Sequence, residues 1–408
     1  MRDVRHHDAM TASPGLPPQA APVPPAAAHV APVPPSQRAV APDVARGLAL
    51  LGIALANAVA YFTGLGSRPV DSTTLDRAVN GLVSLFVDRR TMPMFALLYG
   101  YGIGVVVRRR TAAGVPWPVV RGDLRRRSGV LVAFGAVHIA LLFEGDILAS
   151  YGLAGLLAVV FVRAKDRALL VVAVVLAVAA VAMGHASLLA LSADTGAAEV
   201  PPDTGALAAL VSRTVRFATA PIGAVVAVPL VLVGLWAARR EVLERPADHL
   251  ALLRRTALVG LAVSVLGGLP QATIAAGLRE APRLEAYGAA ALHQLTGVAG
   301  GLAFAALVGW AVAARGTTLD TLSPAGRALR AVGQRSMTCY LLQSVLFVLP
   351  LAPWAGALGV GMSAAQVAAW AVGVWLVTVA VAVGLEATGR RGPAEALYRR
   401  LVYRPVTA

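Results

Sequence analysis

Cysteine occurs once in 408 residues, at Cys339. A single thiol excludes an intrachain disulfide, a cysteine-rich zinc site and an iron–sulfur cluster held by this chain alone. The HExxH helix of metalloproteases, the Walker A loop and the dinucleotide-binding glycine motif are also missing, so metal-dependent proteolysis and ATP hydrolysis have no footing. Charge is scarce at 14% of residues, and among the basic ones lysine appears only as Lys165. What is abundant is hydrocarbon: 57% of residues are hydrophobic and the mean hydropathy is +0.70. The chain is therefore expected to sit in a bilayer rather than in water.

A helix needs about 20 predominantly apolar residues to cross a hydrocarbon core roughly 30 Å thick. Runs of that kind fall near 44–66, 90–107, 128–144, 147–163, 168–191, 219–238, 255–276, 291–313, 332–352 and 364–386. They are continuously apolar, which favours helices over the alternating strands of a barrel. The expected fold is all-α, a polytopic transmembrane bundle of about ten spans. Arginines cluster in alternate loops, with only Arg68, Arg77, Arg89, Arg90, Arg213, Arg216, Arg279 and Arg283 on one side. The positive-inside rule then places both termini in the cytoplasm and the protein in the cell membrane. Topology and anionic inner-leaflet lipid account for the net charge of +15, so the bilayer is the expected partner and nucleic acid is not.

Residues 1–42 are rich in Pro and Ala, without apolar periodicity, and read as a disordered cytoplasmic tail. The first apolar run begins near Val44 and continues to span length, so no cleavable signal peptide is expected. Residues 43–388 form the membrane domain. In 389–408, Arg390, Arg391, Arg399 and Arg400 with Tyr398 and Tyr403 suggest a short interfacial helix started by Gly392-Pro393.

Between Ser128 and Phe161 the only ionisable side chains of acidic or basic type are His138, Glu144 and Asp146. A histidine in hydrocarbon followed by two carboxylates at a hairpin tip is expensive to bury without a purpose. These three are the candidate catalytic groups: His138 as general base or nucleophile, Asp146 as the group that orients it. Eight residues of continuous helix would hold His138 and Asp146 about 12 Å apart, so contact requires the helix to end first, and Gly145 offers a place for that. Gly135, one turn before His138, would let a neighbouring backbone approach. Candidate substrate contacts are Arg46 at the inner mouth of the first span, Asn57 in its outer half, Arg90 at the outer edge of the second, and Thr338, Tyr340 and Gln343 in the ninth. Ser344 lies beside the last three, and His293 opens the eighth span from outside. A guanidinium such as Arg46 suits phosphate, including the pyrophosphate of CoA. No metal site and no permanently bound cofactor are expected.

Three stretches carry a family resemblance. The first span reads Arg46-Gly47-Leu48-Ala49-Leu50-Leu51-Gly52-Ile53 with Asn57 after it, the second contains Phe95-Ala96-Leu97-Leu98-Tyr99-Gly100-Tyr101-Gly102, and His138 precedes Gly145-Asp146-Ile147-Leu148. The later blocks are Gly333 through Ser344 and Gly392-Pro393-Ala394-Glu395 with Arg399, Arg400 and Tyr403. Together they resemble the YeiB-like family of bacterial inner-membrane proteins, defined by domain of unknown function 418, over roughly residues 43 to 404, with a C-terminal block from about 230. That family is similar in architecture to transmembrane acyltransferases, including those that modify bacterial surface sugars and the lysosomal heparan glucosaminide acetyltransferase. The resemblance implies acyl-CoA as co-substrate on one side and an envelope glycan or small-molecule acceptor on the other. The surface-sugar branch would put a histidine after Arg-x10, where this chain has Asn57. Asn cannot shuttle a proton, so the base falls to His138. A transporter using His138, Asp146 and Asn57 as a relay is the alternative, without a clear internal repeat to support it. A third is a non-catalytic membrane partner that recruits through its Pro-rich tail.

Overall fold

The computed structural model describes residues 39–59, 73–193, 206–352, 354–359 and 361–403. The expected disordered tail lies outside these residues up to position 38.

The helices are α1 (Val40–Ala58), α2 (Thr74–Phe86), α3 (Thr91–Ala112), α4 (Trp117–Leu141), α5 (Leu148–Phe161), α6 (Asp166–Ala193) and α7 (Ala206–Arg216). They continue with α8 (Ala220–Arg239), α9 (Leu250–Ala275), α10 (Arg283–Ala314), α11 (Pro324–Gln334), α12 (Ser336–Leu351), α13 (Ala364–Ala387) and α14 (Pro393–Val402). No strand occurs among the described residues. Among the described residues the ten apolar runs are largely helical, with 60–66 of the first outside those residues and the ninth divided between α11 and α12; six helical stretches are long and apolar enough to cross a membrane, and α5 and α12 are shorter apolar helices. The chain is a helical membrane protein. Helix α1 starts at Val40, ahead of the expected boundary at 43. Pro42 is accommodated because it falls in the first turn, and Asp43 complements the positive end of the helix there.

The core is centred on α3, which packs against both α1 and α8. Leu50 and Ile53, Leu98 and Tyr101, and Val231, Leu232 and Leu235 are fully buried there. Outward faces are apolar as well: Val171, Val174, Val175 and Val178 of α6 are all more than half exposed, as suits side chains that meet lipid. Lipid tails are as apolar as leucine, so such helices associate through close packing and hydrogen bonds rather than through escape from water. Contact between α3 and α8 shows how close that packing is. A Cβ on Gly100 would lie 2.1 Å from the Val231 carbonyl oxygen, and one on Gly234 would lie 2.0 Å from that of Leu97. Gly234→Leu is expected to cost more than about 3 kcal/mol. Fluorescence-detected size exclusion should show little folded protein, whereas Gly373→Leu, whose Cβ would meet open space on α13, should behave as wild type.

One end of the bundle gathers the arginines that end α3, begin α4 and end α8. Many are paired: Arg108 reaches Glu241 and Glu244, Arg110 lies 2.6 Å from Asp123, and Arg239 lies 2.8 Å from Asp166 at the start of α6. Hydrogen bonds first from Arg239 and then from Arg240 hold the Asp166 carboxyl below its ordinary value of 3.8. These partners exist only in the folded protein, so their stabilisation is complete above about pH 4 and fades as pH falls through the lowered folded value. Asp166→Asn should therefore lower the melting temperature at pH 7, with the difference from wild type closing below pH 4.

Candidate functional site

Helix α4 ends at Leu141, where the amides of Leu142 and Phe143 both donate to the His138 carbonyl, at 2.8 and 2.9 Å. The end therefore comes before Asp146, as contact with His138 demands. Gly145 is not the left-handed stop. Its φ is not positive, and what excludes a Cβ there is the Phe143 ring, 2.7 Å from where that atom would lie. Helix α5 then returns along α4. A Cβ on Gly135 would fall 2.1 Å from the Ala149 nitrogen, so the absence of a side chain lets the first turn of α5 lie directly against α4 beside His138.

This approach assembles a three-residue chain of polar groups. Asp146 Oδ1 lies 2.7 Å from His138 Nδ1, and Asp146 Oδ2 accepts the Ala149 amide at 2.7 Å, capping α5. On the other side of the ring, His138 Nε2 lies 2.8 Å from Ser344 Oγ of α12. All three side chains are buried: His138 and Ser344 are each 2% exposed and Asp146 7%. The tautomer follows from the inventory. An ionised carboxylate only accepts, so Nδ1 carries the hydrogen, and Nε2 is left to accept from the Ser344 hydroxyl. The negative charge of Asp146 also lies at the positive end of α5. The result is the Asp–His–Ser connectivity of an activated hydroxyl.

Tyr340, one turn before Ser344, packs its ring against His138 with centroids 5.0 Å apart, and its hydroxyl accepts the Ile147 amide at 3.4 Å. Tyr340 and Ile147 also face a cavity of about 200 Å³. Its other walls include Arg46, Arg127, Tyr99 and Tyr398, with Phe95, Leu124 and Leu131 as apolar surface. Arg46 donates to Asp43 and to the Leu98 carbonyl, both at 3.1 Å. Arg127 donates to the Tyr403 hydroxyl at 2.6 Å and packs over the Tyr398 ring. Burial pushes the Tyr398 phenol up from its ordinary range, so the wall it contributes is neutral.

The remaining candidates fall elsewhere. Glu144 is half-buried on the α4–α5 turn, and neither ring nitrogen of His138 is left for it. Asn57 is buried near the end of α1. Gln343 is buried and points its amide at the Leu50 carbonyl, 3.5 Å away, with its own oxygen unpartnered. Thr338 belongs to a joint between two helices: its hydroxyl bonds Glu395 and accepts the Ala394 amide at 3.1 Å, while Glu395 also takes the Met337 and Thr338 amides. This reciprocal capping docks α14, which starts at Pro393 with Gly392 before it, onto the start of α12. Arg90 is fully buried at the opposite end of the bundle, bonded to Ser264, to the Ser84 and Asp88 carbonyls and to His293. The placement separates Arg90 and Thr338 from the His138 chain, because their donors and acceptors are occupied in helix packing.

Two groups that sequence reading considered only as members of larger sets stand out. Ser344 was visible only as one polar residue among several in the ninth span, and Arg127 as one arginine in a basic loop. Among the described residues no three His, Cys, Asp or Glu side chains gather to hold a metal ion.

Residues 237–405 match a family model described as "Protein of unknown function (DUF418)". The uncharacterized protein YxaH of Bacillus subtilis is 32% identical over 144 residues, which are 32% of this chain and 34% of that protein. The uncharacterized 39.9 kDa protein in the amylase 3' region of Bacillus acidopullulyticus is 30% identical over 31% of this chain and 34% of its own length. The uncharacterized protein YeiB of Escherichia coli is 32% identical over 28% of this chain and 29% of its own. The chain thus spans about a third of the curated relatives it matches. No solved structure matches it. Ser344 and Tyr340 lie inside the family-model region, and His138 and Asp146 lie before it.

Proposed function

We propose that this chain, which belongs to the YeiB-like DUF418 family, is a transmembrane acyltransferase that moves an acyl group from a cytoplasmic acyl-CoA to a hydroxyl or amine acceptor of the envelope or of a small molecule. The observation that carries this reading is the hydroxyl held at 2.8 Å from His138 Nε2 while Asp146 holds Nδ1. A relay of that kind takes a proton from an attacking oxygen or nitrogen and returns it to a leaving group. The cavity supports the same reading, since its lining combines the cations Arg46 and Arg127, apolar and aromatic side chains, and Tyr340, whose ring packs against His138. A phosphate-bearing carrier with a thioester and a hydrocarbon chain calls for that combination of chemistries. Arg46 and Arg127 would meet the phosphates.

The accompanying topology has about ten crossings, with both termini and the arginine-rich end in the cytoplasm and α14 lying at the inner interface as a basic amphipathic helix. Acyl-CoA then enters from the side on which it is made.

Thermal shift of the purified protein with acetyl-CoA and palmitoyl-CoA tests the donor site. Saturable stabilisation is expected, because a ligand that binds only the folded state raises its apparent stability with concentration. Arg46→Ala and Arg127→Ala should each weaken that response by about tenfold or more in apparent affinity, the loss of a charge-assisted contact worth about 1.5–3 kcal/mol. His138→Gln should leave it intact. A folded sample that neither acyl-CoA stabilises overturns the reading and moves the relay towards transport.

A further inference from the structure

We propose that Ser344 is the nucleophile of this reaction, carrying the acyl group as an ester between two half-reactions; the inference rests on the acyl-transfer reading above. A serine inside a membrane helix ordinarily satisfies itself by donating to the carbonyl one turn back. Here that carbonyl, of Tyr340, is 3.4 Å away, whereas His138 Nε2 is at 2.8 Å. The shorter contact directs the hydroxyl hydrogen to the imidazole. Asp146 is committed on both oxygens, one to the ring and one to the Ala149 amide, so the ring is fixed in orientation and tautomer. Three apolar side chains would fill this volume at lower desolvation cost, and helix gluing alone does not require an acid, a base and a hydroxyl in series.

Position favours Ser344 as well. It follows Tyr340 by one helical turn on the same face of α12, and Tyr340 is the side chain shared by the cavity wall and the His138 environment. An acyl chain lying along that wall brings its carbonyl to Ser344 once the Tyr340 ring turns aside.

In the first half-reaction, Ser344 Oγ attacks the thioester carbonyl and its proton passes to His138 Nε2. The tetrahedral intermediate collapses with cleavage of the C–S bond, and the leaving thiolate takes the proton from Nε2, giving an acyl ester on Ser344 and free CoA thiol. In the second, the acceptor hydroxyl or amine gives its proton to Nε2 and attacks the ester carbonyl. Ser344 Oγ leaves and regains that proton. No oxidant, reductant or further reactant is required.

The test uses the full chain in detergent with acetyl-CoA and isotopically labelled CoA, without acceptor. Ester formation on the enzyme predicts exchange of label between CoA and acetyl-CoA, together with an acetyl mass increment that peptide mapping places on Ser344. Ser344→Ala should abolish both, with exchange falling by about 10³-fold or more, as for other removed nucleophiles. Ser344→Cys should restore a covalent adduct, now a hydroxylamine-labile thioester, which separates loss of the nucleophile from loss of fold. Absence of exchange in wild-type protein that still transfers acetyl to an acceptor or to water overturns the nucleophile and leaves acyl transfer standing, by direct displacement. Exchange that persists in folded Ser344→Ala overturns it equally. Protein that binds and consumes no acyl-CoA removes both readings together.

Discussion

His138→Gln is expected to lower acyl transfer by about 10³- to 10⁴-fold while leaving acyl-CoA binding within a few-fold of wild type. The separation follows from position. His138 lies behind Tyr340, outside the cavity wall, and binds nothing of the donor's carrier, so its loss removes proton transfer alone. Thiol release from acetyl-CoA, followed at saturating and limiting donor, should show a fall in kcat with KM nearly unchanged. Asp146→Asn is the more telling companion. Asparagine can keep the Ala149 amide through its oxygen, so the α4–α5 turn survives. Its amide nitrogen, however, donates to Nδ1 and moves the ring hydrogen to Nε2, which can then no longer accept from Ser344. A loss of similar size is expected from a substitution that changes one hydrogen's position, and circular dichroism should report an unchanged helix content. If both variants instead retained activity within tenfold, the buried chain would be helix glue.

Much of this arrangement is legible in the sequence. Helices over the ten apolar runs follow from continuous hydrophobicity, and contact between His138 and Asp146 needed only that α4 end early. The third member of the chain was not visible in the same way. Ser344 is 206 positions from His138, and nothing in its neighbourhood distinguishes it from Gln343 or Thr338; only the packing of α12 against the α4–α5 hairpin does. Helices α2, α7 and α11 were also missed, because they are amphipathic rather than continuously apolar and a search for bilayer-length runs passes over them. Motif residues proved ambiguous for a related reason. A Cβ on Gly333 would lie 1.8 Å from the Asp43 carbonyl oxygen, and Glu395 ties α14 to α12, so the blocks that carry the family resemblance mix residues that hold helices together with residues, such as Tyr340, that line the cavity.

Arg90, a candidate substrate contact in the sequence, is instead held in helix packing, and its removal is expected to be among the costliest substitutions for stability. Its guanidinium is completely buried, with Nε donating to Ser264 Oγ at 2.9 Å and the two Nη groups donating to the carbonyls of Ser264 at 2.8 Å, Asp88 at 2.6 Å and Ser84 at 3.2 Å. His293 of α10 lies 3.2 Å from Nη1. One side chain thus ties α2, α3, α9 and α10 together. The turn that delivers it passes through Arg89 at a positive φ of 62°, a conformation a non-glycine residue adopts only when its surroundings hold it. Room for the side chain exists because Gly268 and Gly300 have none: a Cβ on Gly268 would lie 2.3 Å from Arg90 Nη2, and one on Gly300 2.6 Å from Arg90 Cγ. Arg90→Ala would open a cavity and leave several buried acceptors without donors, and a loss of about 3–5 kcal/mol is expected from such a vacancy. Arg90→Lys should rescue little, since an ammonium cannot span acceptors that the planar fork reaches simultaneously. Arg90→Met fills the volume without importing charge and should melt between the two. Melting in detergent orders the series, and assays well below each midpoint separate the two roles this arginine could have. A packing hub leaves the KM for acyl-CoA and acceptor unchanged in Arg90→Met, whereas a substrate contact would raise KM at least tenfold in a variant that remains folded. The occupied donors and the complete burial of the guanidinium favour the first outcome, with transfer rates within a few-fold of wild type.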